Sequence, residues 1–313
     1  MKLDDRIKKD LGELYDSDLF KYIQLFKDCK ITEAEQLSQD LFDEPDCFST
    51  HGLPGYYTGD RDAKTVMVML NPGSDVLSRN NPFATEEALK KLNMRTDSID
   101  LFVDTFKEGS ANFGEKDADR VDNFDVKQAA FLKDWPKDCG VVIPEDFPEI
   151  VSSLAGKENE KKRNKLLQNV KQNVLMQKLQ LELIPYASRE FKSIGNERIK
   201  HLFPYVETLF DEIFRCAERK YVIFCSDFFY RLFELYSKSE YPGTIDIDDK
   251  QSRKVFNNGK NSYCTSIRIN YGGKSMKAII AHTFPNKTLP NAYEIMREYG
   301  AFCYDVWKNS RFK

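Results

Sequence analysis

Two short segments of the 313-residue chain hold residue types that could do chemistry. The first is Leu70-Asn71-Pro72-Gly73-Ser74, which ends a continuous apolar run at 65–70. The second is His282-Thr283-Phe284-Pro285-Asn286, which ends another apolar run near the C-terminus. An asparagine amide can orient a water but cannot take its proton. A histidine changes charge near neutral pH and can donate or accept a hydrogen bond. Asp75 offers either a base or a helix cap, and Lys287 a cation suited to phosphate. Tyr56 and Tyr57 could line the same place or cover a sheet edge. Asn-Pro-Gly alone is also ordinary turn chemistry, so the elements around these residues decide what they mean.

The run at 65–70, TVMVML, is short, apolar throughout and bounded by turn residues, the pattern of a strand buried on both faces of a parallel sheet. Residues 221–225 read the same way, and 181–184 as a short strand stopped by Pro185. The runs 263–270 and 275–281 flank Tyr271-Gly272-Gly273 as a hairpin. Three- and four-residue spacing of apolar side chains predicts helices over 11–26, 202–217, 229–236 and 292–306. Residues 45–64 and 237–261 read as loop. The stretch 75–180 shows no convincing strand and reads as a helical insertion. Its 104–125 segment carries seven acids against three bases, and 157–178 carries seven bases against two acids. Strands alternating with helices predict an α/β fold, a three-layer α/β/α sandwich around a mainly parallel four-stranded sheet. The whole chain, 1–313, is expected to be a single domain. Ligands of such sheets sit beyond the carboxyl ends of the strands. Segments 71–75, 185–188, 226–228 and 282–286 are expected to meet there.

Composition narrows the function classes. Apolar residues make up 41% and aromatics 13%, enough for a sizeable core, and the net charge is only −3. The seven cysteines are scattered and never two or three apart, and the three histidines are far from one another. Neither pattern suggests a metal site, a cluster or a disulfide framework, and no cofactor is expected. No run approaches the roughly 18 apolar residues of a membrane span, and the first twenty residues lack the apolar stretch of a signal peptide. A cytoplasmic protein without a membrane partner is expected.

Together, Met69-Leu70-Asn71-Pro72-Gly73 and the histidine segment resemble the uracil-DNA glycosylase superfamily. The first motif is similar to that of its mismatch-specific branch. Phe83 lies 12 residues after Asn71, where that family places an aromatic. Met69 stands where the family has a glycine, and Thr283-Phe284 where it has Pro-Ser. The resemblance implies a DNA or nucleobase ligand. It implies that Asn71 orients a water, that His282 donates to the leaving base and that Phe83 stacks on it. Leu70, Pro72, Gly73 and Ser74 would hold the base edge, with Thr283 and Asn286 beside them. Base removal needs a donor for the leaving anion and a held water, and the base must leave the stack. Two other readings fit the same residues: a catalytically silent nucleotide- or nucleic-acid-binding protein of this fold, and an interaction protein that uses the insertion.

Overall fold

The computed structural model describes residues 1–11, 32–48, 55–71, 123–144, 177–186, 188, 191–239, 241–254, 261–283 and 293–312. Its helices are α1 (Leu3–Leu11), α2 (Thr32–Phe42), α3 (Asn123–Leu132), α4 (Asn196–Ile199), α5 (Phe203–Arg215), α6 (Phe228–Lys238) and α7 (Tyr293–Lys308). Its strands are β1 (Tyr57–Gly59), β2 (Thr65–Met69), β3 (Leu179–Glu182), β4 (Tyr221–Phe224), β5 (Ile245–Ile247), β6 (Gln251–Arg253), β7 (Ser262–Tyr271) and β8 (Lys274–Ala281). The class is α/β. The chain divides into two compact units, 1–58 with 69–114 and 180–215, and 59–68 with 115–179 and 216–313.

In the second unit β2 pairs parallel with β4, from Thr65 opposite Tyr221 to Val68 opposite Phe224. β4 pairs parallel with β8 through Ile223–Ile279 and Phe224–Ile280. The side chains of Val66, Met67, Val222, Ile223, Ile279 and Ile280 are wholly buried. That matches the unbroken apolar runs, because a strand covered on both faces has no polar side to show. Helix α6 buries Phe229, Leu232, Phe233 and Tyr236, one stripe at helical spacing. Phe229 and Phe233 meet Phe224 of β4 with ring centroids 5.1 and 4.7 Å apart. Such tilted pairs add about 0.5–1.5 kcal/mol each beyond burial.

The expected four-stranded, mainly parallel sheet is too small and too uniform. The second unit alone pairs six strands, and β7 runs antiparallel to β8, β5 and β6. The cause is the turn: Gly272 and Gly273 both hold positive φ, 56° and 74°, which folds β7 straight back along β8. β5 and β6 lie inside the expected loop 237–261. The exposed β6 residues Gln251, Ser252 and Arg253 carry no apolar pattern to read, and β5 offers only Ile245 and Ile247. Likewise β1 lies inside the expected loop 45–64. Among its described residues the proposed insertion shows α3, a 3-10 turn at 137–139 and, at its end, the start of β3. The expected helix over 11–26 lies outside the described residues apart from Leu11.

In the first unit, main-chain hydrogen bonds join Leu183 N–H to Met69 O at 2.9 Å, Ile184 N–H to Leu70 O at 2.9 Å and Glu182 N–H to Tyr56 O at 3.0 Å. Tyr56 and Tyr57 are buried. Helices α1, α2 and α5 are tied by one charged group: buried Arg6 pairs with Glu33 and lies 4.2 Å over the Tyr205 ring. The Tyr205 hydroxyl donates to the same Glu33 carboxylate at 2.9 Å. Among the described residues no helix is long and apolar enough to cross a membrane.

Helix α7 approaches α3 closely at Gly300, where an added Cβ would sit 1.8 Å from the Phe131 carbonyl oxygen. The Trp135 indole N–H donates to the Gly300 carbonyl at 3.1 Å and fixes the same contact. Helix propensity alone favours alanine over glycine by about 1 kcal/mol, whereas overpacking a core costs about 1–3 kcal/mol. Gly300→Ala is therefore expected to lower stability in urea denaturation by about 1–3 kcal/mol. A variant more stable than the parent would contradict the close approach.

Candidate functional site

β8 delivers His282 one residue past its end, and the Tyr263 carbonyl of β7 receives the His282 N–H at 3.3 Å. β4 ends at Phe224, and the chain turns through Ser226 and Asp227 into α6. Ser226 Oγ accepts the Phe228 N–H at 3.2 Å and so caps this turn. Asp227 makes no side-chain cap bond. Its N–H instead donates to the His282 carbonyl at 3.1 Å, and its Oδ1 lies against His282 Nδ1. Two parallel strand ends are thus stitched together by main chain and side chain at once.

The imidazole of His282 is 2% exposed, and both ring nitrogens have partners inside the protein. Nδ1 faces Asp227, and Nε2 lies 2.7 Å from Thr265 Oγ1 of β7. An ionised carboxylate can only accept. The proton therefore sits on Nδ1, and the Thr265 hydroxyl donates to the Nε2 lone pair. Charges agree with that assignment. The imidazole N–H holds the Asp227 carboxyl down to about 2, with help from the Lys250 ammonium 3.0 Å away. Burial pushes His282 below its ordinary value and outweighs the opposing pull of Asp227. The resting pair is a carboxylate beside a neutral imidazole.

Around the ring stand Tyr230 of α6, with centroids 5.5 Å apart and planes at 42°, and Lys250 from the segment between β5 and β6. The Lys250 ammonium lies 4.8 Å over the Tyr263 ring and 5.7 Å over the Tyr230 ring. Behind His282, the Thr283 N–H donates to the Tyr299 hydroxyl at 3.1 Å, and that hydroxyl donates to Tyr263 O at 2.8 Å. The Thr283 hydroxyl is buried with no hydrogen-bond partner among the described residues.

Asn71 belongs to the first unit, where its amide donates to Tyr186 O at 3.2 Å and to Ser188 Oγ at 2.7 Å. Leu70 is half-buried and accepts from Ile184. Pro72, Gly73, Ser74, Phe83, Asn286, Asp75 and Lys287 lie outside the described residues. Segment 226–228 was expected at the strand ends, and there Ser226 caps the turn while Asp227 holds His282; sequence reading missed Thr265, Tyr230 and Lys250. Thr265 sits mid-strand and Lys250 in a polar stretch, so neither carries a motif. One clue was available: position 265 follows Cys264, the residue paired with Ala281, just before His282. In the first unit Glu44, Asp46 and Cys47 bring donor atoms within 4.8 Å of one another. Glu44 is already paired with Lys192.

The pair fixes a pH dependence. Both groups have folded-state values below their ordinary ones, so the unfolded chain binds more protons. Their stabilisation is present above the unfolded values and is lost as pH falls. For His282 the loss begins below its ordinary value of 6.5. Urea midpoints measured from pH 7.5 down to pH 5 are expected to fall more steeply for the parent than for His282→Gln. Parallel curves for the two proteins would contradict the buried neutral imidazole.

Comparison with family models, with curated proteins and with solved structures finds no match to this chain.

Proposed function

We propose that the chain is a uracil-DNA-glycosylase-like protein of α/β/α architecture that acts on a deaminated or mismatched base in DNA. The observation that carries the reading is the buried histidine, held by an aspartate where the parallel strands β4 and β8 end. That end of a parallel sheet is where ligands bind. A buried, carboxylate-oriented imidazole there suits work on a proton near neutral pH. The motif residues support it further: the chain leaves β2 at Leu70 and Asn71, and leaves β8 at His282 and Thr283.

In the proposed reaction water supplies oxygen to the sugar carbon as the N-glycosidic bond breaks. The base departs with the bonding electron pair. One water hydrogen stays on the new hydroxyl and the other ends on the base. Asn71 would orient the water and His282 would stabilise the departing base. Phe83 would stack on the base, and Leu70, Pro72, Gly73, Ser74, Thr283 and Asn286 would shape its surroundings.

A second reading is binding without hydrolysis. It is favoured by the engagement of both His282 nitrogens and of the Asn71 amide within the protein. To donate to a base, the imidazole must take its Nδ1 proton away from Asp227, or gain a proton on Nε2 in place of the Thr265 bond.

Incubation with oligonucleotides containing uracil or a mismatched base, followed by alkali and gel analysis, separates the two. Hydrolysis predicts strand breaks at the target base, reduced about 100-fold or more by His282→Ala or Asn71→Ala. Salt-sensitive binding with every oligonucleotide left intact would establish the second reading instead. Neither cleavage nor binding would remove both.

A further inference from the structure

The outward face of the His282 cluster has a chemistry of its own. Asp227 is 68% exposed in its side chain although it holds a buried histidine. Its Oδ1 receives both the imidazole N–H and the Lys250 ammonium. Two partners on one oxygen, with the main-chain bond from Asp227 N–H to His282 O, hold the carboxylate, and with the side chain 68% exposed its second oxygen is the one left to accept from outside. Tyr230 lies in the first turn of α6, three residues after Asp227, which precedes the helix and accepts the Tyr230 N–H on its carbonyl at 3.1 Å, and Tyr230 is half-buried. A fixed anion that can only accept hydrogen bonds therefore stands beside an aromatic ring.

We infer that Asp227 and Tyr230 form a reading site for a nucleobase that carries an exocyclic amino group, Tyr230 stacking on the ring and the outer carboxylate oxygen accepting from the amine. The inference rests on the nucleic-acid reading above and narrows it. Cytosine N4 and adenine N6 are donors, and a carboxylate is the side chain suited to the cytosine amine. Thymine and uracil present carbonyl oxygens in the same place, which a carboxylate repels. Deamination removes the recognised group, so the site favours an amino-bearing base in a mismatch over a deaminated one. Stacking adds affinity without choosing among bases, since every base has a π face. The selection therefore comes from Asp227. Glu234, Asp249 and Lys250 also lie near Tyr230. With Asp227 that makes three acids against one base, no excess of positive charge, so this corner recognises the base rather than a phosphate.

The test uses the full chain and short labelled single-stranded oligomers of dA, dC and dT, with affinity read by fluorescence anisotropy. The parent is expected to bind oligo(dA) and oligo(dC) at least about fivefold more tightly than oligo(dT). In Asp227→Asn the amide oxygen can keep the imidazole N–H, which leaves the amide NH2 outward. Acceptor becomes donor, and the preference is expected to shift toward oligo(dT). Tyr230→Ala is expected to weaken all three by about tenfold, while Tyr230→Phe keeps the parent affinities. A shift in preference is a result that simple loss of structure does not produce. Equal affinities for all three oligomers, or a preference unchanged in Asp227→Asn, would overturn the inference while leaving nucleic-acid binding intact. Binding to none of them would overturn both.

Discussion

The second unit is organised around one interaction, the hydrogen-bonded line from Asp227 through His282 to Thr265. A histidine buried to 2% loses water at both nitrogens, and an unsatisfied buried polar atom costs about 1–3 kcal/mol. Each nitrogen therefore needs a partner, and the partners must differ. One accepts and the other donates, which fixes the tautomer. The three residues come from three elements: the turn after β4, the end of β8 and the middle of β7. Only a sheet that is parallel on one side of β8 and antiparallel on the other brings them together. The glycine turn at 272–273 is thus part of the site, because it sets β7 beside β8 in the register that places Thr265.

Rigidity elsewhere in that unit serves the same end. Tyr299 bridges Thr283 N–H and Tyr263 O from α7, and α7 is seated against α3 through the close approach at Gly300. The imidazole is consequently held from the strand before it, the peptide after it and both ring nitrogens. A base acting as hydrogen-bond acceptor must compete with Asp227 for the Nδ1 proton, since Thr265 donates to this ring. That competition separates the hydrolytic reading from the binding one.

The sequence reading recovered what depends on local pattern. Continuous apolar runs located β2 and β4, helical stripes located α5 and α7, and Tyr271-Gly272-Gly273 located the hairpin. His282 was singled out from its place after β8. Positions fixed by register and long-range contact were not readable. Thr265 looks like any strand residue, β6 is a short polar strand that only its pairing with β7 makes a strand, and β5 is three residues long, with Ile245 and Ile247 too brief a pattern to read. Asp227 lies in the segment 226–228 expected at the strand ends, but its task was not readable there, because either Ser226 or Asp227 suits a cap; Ser226 takes that place and leaves the carboxylate for His282.

Nitrogen-15 NMR of the imidazoles at neutral pH reads this tautomer, with the His282 signals identified by their absence in His282→Gln. The expected spectrum is that of a neutral ring with the proton on Nδ1 and an unprotonated Nε2 accepting from Thr265. An imidazolium at neutral pH, or a proton on Nε2 with Nδ1 bare, would contradict it.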